Sequence, residues 1–255
     1  MLECRINEDS NTVSTSLLRK VSLVRIQYGS PYSIMSSKKY INSENWSSGA
    51  VSLTGNYLSK IHRRLMLNEL DFFNLVKNQK SKILDFGCGF GYFLKFFFEK
   101  NYKNIIGVDP DKNLLKTIPK KIKTYTCYGN KTKFRNNSFD VIFVYGVLHH
   151  LHNDKEYREA INEIHRILKP DGLVFITEPG RYKFFRFIEY LFYLFSFIST
   201  YAKTFSNMME EEKKEQHYFL LNHHKVKNYL KKKKFKVLKN KYFLYSWIYV
   251  GLKKT

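Results

Sequence analysis

Lys82-Ile83-Leu84-Asp85-Phe86-Gly87-Cys88-Gly89-Phe90-Gly91-Tyr92 is the stretch that decides the fold of this chain. Its first half is a short apolar run closing on an acid and reads as a buried strand. Gly87, Gly89 and Gly91 then alternate, and glycine stands where the backbone must take positive φ or admit a ligand closely. A helical run begins just after them. A second apolar run, Asn104-Ile105-Ile106-Gly107-Val108-Asp109, also ends on an acid. Strand, glycine loop, helix start and acid-ended strand together describe a pocket for an adenosine-bearing ligand.

The details select among such ligands. A dinucleotide fingerprint wants G-x-G-x-x-G, with free amides for a pyrophosphate. Here the spacing is G-x-G-x-G, and Asp85 sits two residues before the first glycine. A carboxylate at the mouth disfavours phosphates and favours a cation. S-adenosylmethionine carries a sulfonium, an ammonium and no phosphate. Asp85 is therefore assigned to the ammonium end. Asp109 lies about twenty residues beyond the loop, where a strand-end carboxylate can accept both ribose hydroxyls.

At this point the chain resembles a class I S-adenosylmethionine-dependent methyltransferase, of the broad branch that includes ubiquinone/menaquinone-type and other small-molecule enzymes. "ILDFGCGFGYF" resembles the family's first motif and "IIGVDPDKNLL" its second-strand motif. "SFDVIFVYGVLHHL" resembles the fourth-strand segment, and "EIHRILKPDGLVFITEP" the helix, turn and fifth strand. The likeness covers 56–180, with a family-like tail. It implies a Rossmann-like α/β fold: a seven-stranded, mostly parallel sheet with helices on both faces and an antiparallel last strand. It also implies that Gly87, Cys88, Gly89 and Gly91 let the backbone approach the cofactor and that Pro110 lies against the adenine. Tyr145 would offer its backbone carbonyl to the ammonium. Asn130 stands where the family usually has an Asp bonding the adenine amino group; Asn still accepts through its carbonyl but adds no charge.

A chain of 255 residues can bury a full core, and its apolar content of 44% is ordinary for a soluble protein. The formal charge of +22 invites a nucleic-acid or anionic-membrane reading. Against it, Lys, Asn, Phe, Tyr and Ile are all abundant, as an AT-rich coding sequence produces, and much of the lysine is scattered. The three cysteines, Cys4, Cys88 and Cys127, form no C-x-x-C and no paired framework, which points to a reducing compartment without structural zinc. Cys88 reads as a small tolerated side chain, with a catalytic thiol as the alternative. No continuous apolar segment marks the N-terminus as a secretory signal. The expected location is cytoplasmic, with peripheral membrane contact as an option.

Residues 1–50, rich in Ser and Asn, read as a poorly ordered arm before a methyltransferase domain at 51–255 with its core at 81–180. Met35 is an alternative start to Met1. Helical spacing over 56–78 predicts one helix. Strands are expected at 82–86, 104–109, 123–128, 140–145 and 173–177. Helices are expected at 90–100, with Phe93, Leu94, Phe97 and Phe98 facing the sheet, and at 111–117 and 154–168. Pro170-Asp171-Gly172 should stop the last of these. A helix near 223–233 and a hairpin, 235–239 with 243–252, complete the chain. The aromatic stretch 184–201, inside a substrate-side insertion at 181–220, reads as a lid, an interfacial helix at a membrane or a plain core helix.

Transfer of the methyl group needs an acceptor atom placed in line at about 3–3.5 Å and water excluded. His149, His150, His152 and Glu178 are the candidate acid–base groups, with packing and hydrogen bonding favoured for the histidines and loop capping equally open for Glu178. No spacing suggests a metal site. Val144-Tyr145-Gly146-Val147 stands where base methyltransferases carry N/D-P-P-Y/F. Neither a nucleophilic cysteine nor a glutamate pair follows the fourth strand. The expected acceptor is a small molecule or lipid, not nucleic acid. A non-catalytic cofactor-binding subunit and an RNA-associated enzyme are the alternatives.

Overall fold

The structure is a computed structural model. It describes residues 5–6, 53–180, 187, 190–191, 193–195, 200–244 and 246–254, without the side chains of 5–6, 53–60, 130 and 200–215. The short apolar runs become the centre of one sheet: β2 (Ile83–Phe86), β3 (Ile105–Asp109), β4 (Lys123–Thr126), β5 (Phe139–Tyr145) and β6 (Leu168–Pro179). Neighbours among these five run parallel. β2 and β3 are buried at every position, as strands covered on both faces must be. β7 (Lys236–Phe243) and β8 (Ser246–Leu252) form the closing hairpin, and β8 pairs antiparallel with β6. The order is β4-β3-β2-β5-β6-β8-β7, the seven-stranded arrangement expected, with β1 (Arg5–Ile6) added antiparallel beside β4.

Helices cover both faces. α1 (Leu53–Glu69), α2 (Phe72–Leu75), α3 (Tyr92–Glu99) and α4 (Lys112–Leu115) lie on one side; α5 (Asp154–Ile167) and α6 (Thr200–Lys232) on the other. The first face is largely aromatic. Phe72, fully buried, stacks on Phe97 at 4.7 Å and also meets Phe143, Phe175 and Tyr102. The Tyr102 hydroxyl donates to the Val76 carbonyl at 2.6 Å, which fastens the chain leading into β2.

Several expected boundaries move, each for a local reason. The helix expected over 56–78 breaks at Asp71, which takes a left-handed φ of 57° and separates α1 from α2. Of the four residues of α3 expected to face the sheet, Phe98 is half-buried, under the ammonium groups of Lys103 and Lys121. α5 begins where expected: the Asn153 side chain accepts from the amides of Lys155 and Glu156, while Glu156 accepts from the His152 amide. Its end differs, because the chain turns extended at Leu168, before Pro170-Asp171-Gly172. Those three residues form an irregularity inside β6, with Asp171 at φ 59° and the Asp171 and Gly172 backbones paired to Lys253. α6 is far longer than the expected helix at 223–233. Gln216, Phe219, Val226 and Leu230 give it one buried stripe, but the charged run at 210–215 hides the period upstream. The arm at 1–50, apart from Arg5–Ile6, and most of 184–201 fall outside the described residues.

Replacing Phe72 with Ala should lower the unfolding free energy by ~3–5 kcal/mol, the usual cost of emptying a buried aromatic site. Urea unfolding followed by circular dichroism checks this; a shift below about 1 kcal/mol would show that the aromatic stack does not hold the face together.

Candidate functional site

β2 and β5 lie where the strand order reverses: β3 and β4 extend to one side and β6 to the other. In open α/β sheets the crevice beyond the strand C-termini at such a point is where ligands bind. The glycine bend leaves β2 there. Gly87, Gly89 and Gly91 have φ of 78°, 50° and 68°, all left-handed. The Gly87 and Cys88 amides both donate to the Val108 carbonyl, tying the bend to β3. A Cβ on Gly87 would come within 2.5 Å of Val147, whereas one on Gly89 would meet nothing within 4 Å. Gly87 is thus needed for packing, and Gly89 opens onto free space.

Two carboxylates flank the bend. Asp109 Oδ2 accepts from the Gly89 amide at 2.8 Å and its Oδ1 from the Asp111 amide at 2.9 Å. A carboxylate has about four lone-pair directions, so each oxygen retains capacity for a further donor. Asp85 is 2% exposed, and its Oδ2 has no hydrogen-bond partner among the described residues. Pro110 is half-buried after β3. Asn130 lies in the turn Gly129–Lys131, and its side chain is outside the described set. That turn is pinned by Thr132, whose amide and hydroxyl both donate to Glu163, which Arg166 grips in turn at 2.6 Å.

On the β5 side, Glu178 accepts the amides of Val147 and Leu148 at 2.8 and 2.7 Å and that of His149 at 3.3 Å. Nδ1 of His149 lies 2.8 Å from Oε2, the oxygen that also takes the His149 amide, while Oε1 takes the other two. Glu178 therefore fastens the loop after β5, and the His149 ring is buried against it. The His150 ring packs on that of His149 with centroids 4.0 Å apart and a 39° tilt, and is half-buried. His152 is half-buried and gives its amide to Glu156.

Residues 84–176 match a family described as a methyltransferase domain. An uncharacterized methyltransferase of Oceanobacillus iheyensis is 31% identical over 103 residues, 39% of this chain and 47% of that protein. A demethylmenaquinone methyltransferase of Lysinibacillus sphaericus is 30% identical over 141 residues, 49% of this chain and 58% of that protein. The chain spans about half the length of these curated relatives. The crystal structure of the PH0226 protein from Pyrococcus horikoshii superimposes with a TM-score of 0.55 at 18% identity, covering 78% of this chain and 91% of that one, which shows a shared fold. Residues 84–176 thus carry an S-adenosylmethionine-dependent methyltransferase domain.

The residues of this domain fit that cofactor. Burial, and then the Asp109 charge, push Asp85 up to about 8. Burial raises Asp109 to about 6, against the lowering effect of the Asp111 and Gly89 amides. An acid held this far from its ordinary range, with a bare buried oxygen, has room for a cationic partner. Burial and the same two acids push the Cys88 thiol upward, away from a nucleophilic thiolate, and its sulfur fills the space beside Gly107. Among the described residues no His, Cys, Asp or Glu cluster could hold a metal ion.

The structure also brings together residues the sequence did not group. His62 of α1 places Nδ1 3.0 Å from the Tyr145 hydroxyl, and the Tyr145 ring packs on Phe93 at 4.8 Å. Eighty-three positions separate His62 from Tyr145, and α1 carries no motif to flag it. Thr177 is buried beside them at the end of β6, and its one signal in the sequence is a polar residue closing an apolar strand.

The Asp85 shift fixes a pH dependence. Free Asp85 keeps its proton below about pH 8, and an ammonium-bearing ligand needs the ionised form. Affinity for S-adenosylmethionine should therefore rise by about tenfold per pH unit from pH 6 toward pH 8, above which the ligand's own amino group, with an α-amino pKa of ~7.7–8.0, discharges. Isothermal calorimetry in buffers of different ionisation enthalpy should register one proton released at pH 6. Asp85→Asn should flatten the profile, and an equally steep slope in that variant would assign the proton elsewhere.

Proposed function

We propose that this protein is an active methyltransferase that moves the methyl group to a small, lipophilic acceptor. One observation carries the reading above the rest: the bare, buried Asp85 oxygen beside a glycine bend that is open at Gly89. A domain kept only for packing has no use for that oxygen. An uncompensated buried carboxylate costs stability, and its retention is accounted for by a ligand.

In this reading Asp85 holds the ammonium, with the Tyr145 carbonyl beside it. Gly87, Gly89 and Gly91 bring the backbone close to the methionine and ribose portions. Asp109 serves twice: it braces the bend through the Gly89 amide and takes the ribose hydroxyls with its remaining lone pairs. Pro110 borders the adenine. The bound cofactor supplies a methyl group already activated on a sulfonium, so the protein's task is placement and exclusion of water. Glu178 and His149 hold the loop after β5 in this scheme, with every Glu178 oxygen engaged inward. The methyltransferase unit is taken to run from 51 to 255.

Two observations favour a lipophilic acceptor. Phe187, Tyr190, Tyr193, Leu194 and Phe195 are each about half exposed where the chain passes from β6 toward α6. The Lysinibacillus relative is named for an acceptor of the menaquinone type. No helix among the described residues is long and apolar enough to cross a membrane, so any lipid contact proposed here is peripheral.

Calorimetry on the full chain should show binding of S-adenosylmethionine and S-adenosylhomocysteine and none of NADH. Asp109→Ala should weaken both by at least about tenfold, ~1.4 kcal/mol. Binding of NADH, or an Asp109→Ala variant with wild-type affinity, would remove the nucleoside assignment.

A further inference from the structure

The C-terminal rim of the sheet carries one polar side chain on each of three strands, all on the face covered by α1 and α3. Asp85 pairs in register with Phe143, Phe143 with Phe175, and Tyr145 with Thr177. Residues two apart on a strand share a face, so Asp85, Tyr145 and Thr177 point the same way. The rings of Phe143 and Tyr145 confirm this, lying parallel within 3° at 6.4 Å. Phe93, in the first turn after the glycine bend, packs on the Tyr145 ring. The Tyr145 hydroxyl is thereby directed to the bend's side of the rim, where Nδ1 of His62 meets it at 3.0 Å. Thr177 is 3% exposed, and its hydroxyl has no partner among the described residues. A second bare polar atom thus stands one strand beyond Tyr145, on the side away from Asp85.

We propose that the phenol of Tyr145, held by His62 and flanked by Thr177, takes the proton from the nucleophilic O–H or N–H group of the methyl acceptor. The inference rests on the methyltransferase reading above and adds to it the acceptor half of the site. Thr177 donates its hydroxyl hydrogen to the acceptor, and the aromatic wall of Phe93, Phe143 and Tyr145 excludes water around it. The acceptor atom forms its bond to the methyl carbon as the carbon–sulfur bond breaks, and that bond's electron pair stays on sulfur. The acceptor's proton passes to the Tyr145 oxygen while the phenol's own proton passes to Nδ1 of His62. The imidazolium then gives it to solvent, on the half-exposed side of α1. One positive charge leaves sulfur and one arrives on His62, so the site's net charge does not change during the step.

The surroundings suit this role. Burial and the adjacent Arg63 push His62 down to about 4, so its ring is neutral at physiological pH with a lone pair for the phenol hydrogen. That low basicity opposes lasting protonation of His62, so the proton must pass on to solvent as the methyl group is transferred. The Arg63 guanidinium is itself fixed 4.3 Å above the Tyr92 ring. Arg63 and Tyr92 are charged or titratable groups beside the pair, and Asp85 stands on the same sheet face one strand away.

The test uses the full chain, S-adenosylmethionine labelled in its methyl group, and a methanol-soluble cell extract as the source of acceptor. Wild type should yield a labelled small molecule. Tyr145→Phe should lower kcat by about 10²-fold or more, the lower range for a lost acid–base group, while cofactor affinity by calorimetry stays within about twofold. His62→Gln separates relay from positioning: the Gln oxygen can accept the phenol hydrogen but takes no proton, so kcat should fall at least about tenfold. Wild-type kcat in either variant overturns the inference, as does a fall in Tyr145→Phe fully explained by lost cofactor affinity. A wild-type protein that binds the cofactor yet labels nothing overturns the methyltransferase reading itself, an outcome distinct from failure of the Tyr145 variant alone.

Discussion

Two carboxyl groups buried at the end of a parallel sheet are the constraint on which the rest depends. Asp85 is the last residue but one of a strand buried at every position, and Asp109 ends the neighbouring one. Taking an acid out of water without a partner is costly, and placing a second beside it raises the cost. Asp109 is offset by two backbone amides; Asp85 has no donor at its Oδ2 among the described residues. The surrounding core must supply the stability that this arrangement gives up. The stack of Phe72, Phe97, Phe143 and Phe175 lies directly beneath on the same face, and the wealth of buried aromatic area there makes the deficit tolerable.

The glycine bend is equally constrained from the opposite side. Val147 occupies the space a Gly87 side chain would need, and the Val147 amide is held by Glu178 from the tip of β6. The shape of the bend therefore depends on a residue ninety-one positions away in sequence, through one hydrogen bond and one van der Waals contact. Asp109 closes the circuit by bonding Gly89. Pocket floor, loop after β5 and tip of β6 form one mechanical unit, and this explains why Glu178 is wholly buried although it stands at the sheet rim.

Much of this was legible in the chain itself. Apolar runs carrying Asp85 and Asp109 mark central parallel strands, and their alternation with helical spans implies a mostly parallel sheet. Asn153 followed by Glu156 marks a helix start because the two side chains satisfy orphan amides locally. What stayed hidden depends on distance or on backbone conformation. Asp71 breaks the helical run through a left-handed turn that no glycine announces. Pro170-Asp171-Gly172 reads as a helix stop, yet pairing with Lys253 draws it into the sheet. The partnership of His62 with Tyr145 is tertiary and leaves no local spacing. The bond from the Gly89 amide to Asp109 is also invisible until the bend has a shape.

The overall charge of +22 and a cationic ligand look incompatible, and the resolution is a matter of range. At physiological ionic strength, exposed charges are screened beyond ~8 Å, so scattered surface lysines exert little net repulsion on a ligand seated in the crevice. Asp85 and Asp109 are buried, and screening by salt is weak inside the protein. In the proposed complex the ammonium therefore meets the local charge of Asp85, while the excess of lysine acts outside. The same separation of ranges makes the neutrality of His62 consequential. A protonated imidazole there would add a second positive charge beside Arg63 on α1. Arg63, turned onto the face of Tyr92, keeps its charge beside that ring and lowers the basicity of its neighbour. α1 thereby presents a neutral hydrogen-bonding edge to Tyr145 and keeps its fixed cation on an aromatic face.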